Sequence, residues 1–403
     1  MRLKKSRTAV VLAVTAVTLA ACGGEPPRDT AAEVPHGYVE GAEEAAEAQS
    51  RLIVADPASG AVRVVDLITE EVHEAGRVEG VRGLIGDGRF GYLTGGDASV
   101  RVIDSGAWMV DHGDHVHYYR AKPREVGLAP GKQPLGAYSD PVVSVVSFSD
   151  GSASVLDRAA LDKGSVAELG RIVREPHAGV AVPYGKHILA SVADPGKPYA
   201  HRVRVHDRRG KPVAELDPPC PELQGQAVTR RGVVFGCADG ALLVTEKDGT
   251  FTGEKIPYPP EAVAHERATA FSHRPGGTTL VAESGDGAVW SLDVGRRAWR
   301  YLETGPVAAV NAVGEGGPLL VLARDGGLRA YDGATGKEQA RISLLSPEAA
   351  AAAAPSIQVD TTRAYVNNPL SGEVYEIDYN DNLRRARTLR VDGKAGHIVE
   401  TGR

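Results

Sequence analysis

The 403-residue chain has no Gly-x-Ser-x-Gly elbow, no phosphate-cradling glycine loop and no His-Glu-x-x-His helix. These absences remove the common signatures of serine hydrolases, nucleotide-binding enzymes and helical zinc proteases. There is no basic excess either, with 46 Lys and Arg against 52 Asp and Glu. A negative surface does not attract polyanions, so nucleic acid is not an expected partner, whereas divalent cations are concentrated by it. No apolar run is long enough to cross a bilayer as a helix; the most apolar, Thr8 to Ala21, is too short. Cysteine is scarce, with only Cys22, Cys220 and Cys237. Tryptophan is equally sparse, and Trp108, Trp290 and Trp299 hold no common place in the repeats described below. That argues against a quinone-cofactor dehydrogenase, in which docking motifs recur.

The apolar run from Thr8 follows Arg2, Lys4, Lys5 and Arg7, which is the layout of an export signal. It ends at Leu19-Ala20-Ala21-Cys22-Gly23, which resembles the bacterial lipobox, whose cysteine is acylated after cleavage. Residues 1–21 are therefore read as a lipoprotein signal peptide, and the mature chain as anchored to the outer face of the cytoplasmic membrane through Cys22. The signal holds four basic and no acidic residues, so the mature charge is 42 − 52 = −10. Residues 22–50, rich in Pro, Ala and Glu, cannot bury a core and read as a lipidated tether whose acidic end, Gly41 to Gln49, has helix-forming composition. With Cys22 assigned to lipid, Cys220 and Cys237 form the remaining pair in an oxidising compartment. A disulfide is the natural reading, and zinc held by the same thiolates is the alternative.

From Arg51 to Arg403 the sequence repeats. Each unit is a run of β-formers, a turn built on Gly, Asp or Asn, and a second run usually closing on Asp. Units begin near Leu52, Phe90, Val142, His187, Val233, Thr279, Leu319 and Ala364, at intervals of 38 to 52 residues. Ser59-Gly60, Asp150-Gly151, Asp239-Gly240, Asp286-Gly287, Asp325-Gly326 and Ser371-Gly372 supply turn residues suited to positive φ. Strand pairs at this period, with no amphipathic helix between them, predict an all-β fold and a β-propeller for residues 51–403. Eight blades are expected. Seven is the alternative, with the first and last units as halves of one closing blade. Pro347 to Pro355 reads as a loop with a helical turn or two. The aspartates that end the units, such as Asp66, Asp104 and Asp378, mark turns rather than catalysis, and no enzyme is expected.

Histidine and carboxylate concentrate at one place, Asp111-His112-Gly113-Asp114-His115-Val116-His117, which holds three of twelve histidines. Neutral imidazole nitrogen and carboxylate oxygen suit zinc or a similar divalent transition metal, and His115 and His117 at i and i+2 of an extended segment face one side. Hydration of an exported surface loop is the competing explanation. Because a propeller gathers its inner strands around one channel, His177, ahead of the fourth unit, is expected to converge with this cluster. Alone, it would read as a hydrogen-bonded loop histidine. His187, His201 and His206 read as solvated strand positions, His265 and His273 as candidates to reach the channel, and His73 and His397 as surface.

The segment Asp111 to Ala121 resembles a signature of the AztD-type extracytoplasmic zinc metallochaperones, which pass zinc to the solute-binding protein of an ABC importer. Pro35 to Gln49, Pro176 to Pro183, Cys220 to Gly225, Phe235 to Gly240 and Tyr365 to Asp378 are similar to segments of that family in the same order. The resemblance implies a propeller, a Cys220–Cys237 disulfide, zinc at His112, Asp114, His115, His117 and His177, and an importer's binding protein as partner to a monomeric chain. It also implies losses. Family members carry two consecutive histidines where this chain has His177-Ala178, and a His and a Glu where it has Gln224 and Gln226. A further family histidine has no counterpart in Pro134-Leu135-Gly136, and His273 only faintly matches another. Glutamine is a poor zinc ligand, so a reduced site is expected. A metal-free scaffold at the cell surface is the rival function.

Overall fold

Strands whose neighbours cover both faces are buried throughout, and this explains the largely apolar runs that open each unit. Arg51–Ala55, Val143–Phe148 and Gly232–Cys237 are buried at every position, while the outlying Pro212–Glu215 is exposed at every position. The computed structural model describes residues 38–260, 262, 265–285, 287–352 and 355–403, so the signal peptide and Cys22 lie outside the described residues.

The described residues form nine antiparallel sheets, eight of which carry one repeat unit each. A typical one runs Pro134–Ser139, Val143–Phe148, Ala153–Asp157, Glu168–Ile172, with Val143 opposite Asp157 and Ser147 opposite Ala153 in the central pair. The sheet of the sixth unit has three strands, and Ser272 bridges Val281 where an inner strand would lie.

Each sheet packs on the next. Ile53 and Val64 meet Leu93 and Ile103, Tyr92 and Val102 meet Val146 and Phe148, and Leu320 meets Val366. The series closes, because Leu52 and Val54 of the first unit pack on Tyr365, Val374 and Leu389 of the last. The first and last units occupy different sheets, and the C-terminal strand His397–Thr401 joins the first one, with Arg51 opposite Thr401 and Ala55 opposite His397. A closed ring of radially packed, twisted sheets is a β-propeller.

Five of the six turn glycines adopt positive φ, for example Gly151 at 81° and Gly326 at 86°. Gly372 differs, since a Cβ there would fall 2.0 Å from the Val391 carbonyl oxygen, so the need is for space. Pro347–Ala351 forms one short helix, capped by the Ser346 hydroxyl accepting from the Ala349 N–H. The acidic segment departs from its helix-forming composition. Glu43–Ala45 is a strand, pairing Glu43 with Arg120 and Ala45 with Tyr118. Its partner belongs to a hairpin, Ala107–Asp111 and Val116–Arg120, inserted between the third and outermost strands of the second unit's sheet, Val100–Asp104 and Arg124–Ala129.

Cys220 and Cys237 are joined by a disulfide and fully buried, which removes the thiolate zinc site. The bond closes a loop 17 residues apart in sequence. Replacing both cysteines by serine is expected to lower the unfolding free energy in denaturant by roughly 3 kcal/mol, the chain-entropy value for such a loop.

Candidate metal centre

The inserted hairpin ends in a tight loop that folds three imidazoles together. Asp111 pairs with Val116, the His112 N–H donates to the His115 carbonyl at 3.0 Å, and Gly113, at φ 87°, donates its N–H to Asp111 Oδ1 at 2.7 Å. The crossing puts the rings of His112 and His115 in a stack, 4.8 Å between centroids, while His117 stands edge-on to His115 at 4.9 Å. One ligand atom from each of His112, His115 and His117 lies within 4.8 Å of the other two. Tetrahedral zinc with bonds of about 2.0 to 2.1 Å places its nitrogens about 3.4 Å apart, so side-chain rotations on the order of 1 Å would complete a triad.

Two carboxylates stand behind these rings. Asp114 Oδ1 lies 2.8 Å from His115 Nδ1, and Glu44 Oε1 lies 2.6 Å from His117 Nδ1. A carboxylate accepts from Nδ1 in each contact, so Nε2 is the ring nitrogen that the carboxylate does not engage. Asp114, expected as a ligand, lies against His115 Nδ1 and is not among the three gathered ligand atoms. Glu44 had no signal of its own in the sequence. It lies 73 residues from His117, in a segment of helical composition, and only the pairing of Glu43–Ala45 with the hairpin brings it there. The loop faces solvent, with the His115 side chain 57% and the His117 side chain 24% exposed.

His177 does not join the group, and the expected convergence of separate repeat units on one ion is not formed. It precedes the strand Ala181–Tyr184 of the fourth sheet, is buried, and keeps Nδ1 2.5 Å from the Glu175 carbonyl and Nε2 2.9 Å from Ser191 Oγ. Burial pushes its pKa below the ordinary value, so the ring is neutral and both nitrogens are occupied. The triad instead comes from a single hairpin, which pairs with Glu43–Ala45.

The positions at which the family resemblance places further ligands do meet in space. Gly136, Tyr138, Ala178, Gln224, Gln226 and Phe271 line one cavity of about 270 Å³. The Gln226 amide donates to the Tyr138 hydroxyl, and Arg267 donates to Gln224 Oε1 at 2.8 Å. Burial pushes the Tyr138 phenol up to about 12. Amide and phenol hydrogen bonds therefore occupy the space where imidazole and carboxylate would be needed. An adjoining cavity contains His273, whose Nδ1 donates to the Arg274 carbonyl at 2.8 Å, and Glu283.

Other histidines among the described residues pack within the fold. His265 stacks on Tyr301 at 3.7 Å, and His397 sits half-buried on the closing strand. His206 departs from the solvated position expected for it, being buried, with Nδ1 2.9 Å from the Gly210 carbonyl. Burial, first, and the nearby Arg174 and Arg204 hold its pKa below 6.5. The unfolded chain then binds a proton that the folded one refuses, so this contribution to stability is complete above pH 6.5 and is lost as pH falls from there toward the folded pKa. In urea titrations from pH 6.5 downward, His206→Asn is expected to flatten the pH slope of the unfolding free energy by up to about 1.4 kcal/mol per pH unit.

No family model matches the chain. It is 26% identical over 370 residues to zinc chaperone AztD of Citrobacter koseri, covering 87% of this chain and 86% of that protein. The crystal structure of Citrobacter koseri AztD superposes with a TM-score of 0.75 at 23% identity, over 88% of this chain and 98% of that one. Sqt1 of Saccharomyces cerevisiae superposes with a TM-score of 0.51 at 12% identity, over 77% of this chain and 85% of that one, a likeness of fold alone. The resemblance read from the short segments thus extends along the molecule, and this chain is similar in sequence and in fold to the AztD zinc chaperones.

Proposed function

We propose that this protein is an extracytoplasmic zinc-binding protein, tethered by lipid at Cys22, that buffers zinc or hands it to the solute-binding protein of an ABC importer. Its ring, in which we read the eight repeat-bearing sheets as blades, serves as a scaffold for the inserted hairpin. One ion is held by His112, His115 and His117. The observation that carries this reading is the gathering of three imidazole ligand atoms within 4.8 Å, two of the rings backed by carboxylates. The relative's name, zinc chaperone, supports the choice of ion. Three protein ligands leave a fourth position for water or an incoming ligand, which is the arrangement of an exchangeable rather than a structural site. Asp114 orients His115, and His177 supports its own sheet. The chain acts as a monomer and catalyses no reaction.

Titration of the metal-stripped mature protein with zinc against a competing chelator is expected to give one zinc per chain. His115→Ala combined with His117→Ala should abolish it; undiminished binding in that double variant would refute the assignment. The amide-lined cavity favours a second reading, a metal-free scaffold. Melting separates the two, because zinc at about 100 times its dissociation constant adds about 2.7 kcal/mol to a specific site and nothing to a scaffold.

A further inference from the structure

We infer that the segment 38–49 is a latch on the metal hairpin, and that Glu44 couples its seating to zinc affinity. The inference rests on the function proposed above and concerns how that site is regulated.

The segment is weakly held. Of its twelve residues only Gln49 is buried, so hydrophobic burial scarcely contributes to its seat. Space lies beneath it. One cavity of about 490 Å³ separates Tyr38, Val39 and Glu40 from Arg124 and Asp162, and another of about 270 Å³ opens between residues 44–49 and Ile68, Thr69 and Arg120. What fastens it is the three-residue edge strand Glu43–Ala45 and two side-chain contacts: Glu43 Oε2 to Arg120 Nη2 at 2.9 Å, and Glu44 Oε1 to His117 Nδ1 at 2.6 Å. An element with few buried apolar contacts opens at low free-energy cost, so the latch has a seated and a released state.

Only one of the two contacts reaches the metal site. A seated Glu44 fixes the orientation of the His117 ring through its contact with Nδ1 at 2.6 Å. A cation held by that ring would in turn strengthen the contact. Carboxylates in this relation to a ligating histidine are typically worth about 10- to 100-fold in metal affinity. Linkage makes the effect reciprocal: whatever factor the seated latch adds to zinc affinity, zinc adds to the seating equilibrium. Glu44 is therefore a positioning residue, and the segment that leads back toward the tether reports on whether the site is loaded.

The test uses the full mature chain with zinc as the probe, comparing wild type with Glu44→Ala, Glu44→Gln and Glu43→Gln. Zinc affinity is measured by chelator competition, and amide hydrogen exchange is followed at residues 43–45 with and without metal. Glu44→Ala is expected to weaken zinc about 10- to 100-fold, and Glu44→Gln, which keeps an acceptor but loses the charge, by less. The metal-free melting temperature of both should match wild type, which a loss of folding would not allow. Glu43→Gln breaks an exposed ion pair away from the rings and should change affinity less than about threefold. In wild type, zinc should slow exchange at residues 43–45, and in Glu44→Ala it should not. A Glu44→Ala affinity within about twofold of wild type, or exchange at 43–45 unchanged by bound zinc, overturns the latch and leaves the zinc site standing. A wild-type chain that binds no zinc overturns both.

Discussion

Two buried guanidiniums fasten the base of the inserted hairpin to the ring: Arg51, whose Nη1 donates to the Ser105 and Ala121 carbonyls at 2.8 Å each, and Arg89. Arg89 gives Nε and Nη2 to the two oxygens of Asp104, each at 2.9 Å, and Nη1 to Asp162 at 2.9 Å. Its Cζ sits 3.7 Å from the centre of the Trp108 ring, and Trp108 stacks on Tyr119, its cross-strand partner, at 5.4 Å. A bidentate pair between planar groups, capped by an aromatic face, compensates the desolvation that an isolated buried cation would suffer. Burial still pushes the Asp162 carboxyl up. The base of the hairpin is thereby rigid. Two residues further along the same face, Val110 lies opposite His117, and from there outward the loop is exposed. The imidazoles thus stand on a fixed footing with freedom to adjust at their tips.

The ring was legible because its periodicity is a property of the chain itself. A unit covered on both faces is largely apolar in its buried strands, and most of the tight returns use glycine at positive φ, so the units advertise their own boundaries. The histidine triad was legible for a similar reason, since His112, His115 and His117 lie within one hairpin loop and need no distant element to meet. Glu44 was not. Its approach depends on a three-residue strand whose pairing with Val116–Arg120 overrides a composition of Ala and Glu that favours helix in isolation. His177 is not gathered with the triad. Its place ahead of a repeat suggested convergence with the cluster, but its ring nitrogens lie against the carbonyl of Glu175 in its own loop and the hydroxyl of Ser191.

The cavity lined by Gln224, Gln226 and Ala178 shows how much of the family resemblance is geometric rather than chemical. The backbone still brings these positions together with Tyr138 and Gly136. Their side chains bond one another or Arg267, and an amide neither deprotonates nor offers the nitrogen lone pair that zinc prefers. Fold constraints act on backbone approach and volume, which Gln fills about as well as His. Ligand identity is constrained only by the ion. The two therefore separate readily, and the hairpin is left as the place where the donor set and the geometry still agree.

That separation bears on exchange. A cation enclosed by four protein ligands leaves only when one of them dissociates into a space that a second protein cannot enter. In the proposed site, three imidazoles on an exposed loop would impose no such barrier, because an incoming donor could occupy the open position before any bond to the first protein breaks. Carboxylates that lean on Nδ1 rather than on the ion suit this arrangement, as they strengthen each bond while leaving the coordination sphere open. One of them, Asp114, belongs to the loop itself and is always present. The other, Glu44, arrives with a segment that buries almost nothing, so under the proposed latch the affinity of the hairpin would be set by an equilibrium outside the ring, and a partner that displaced that segment would lower the affinity of the site it was about to unload.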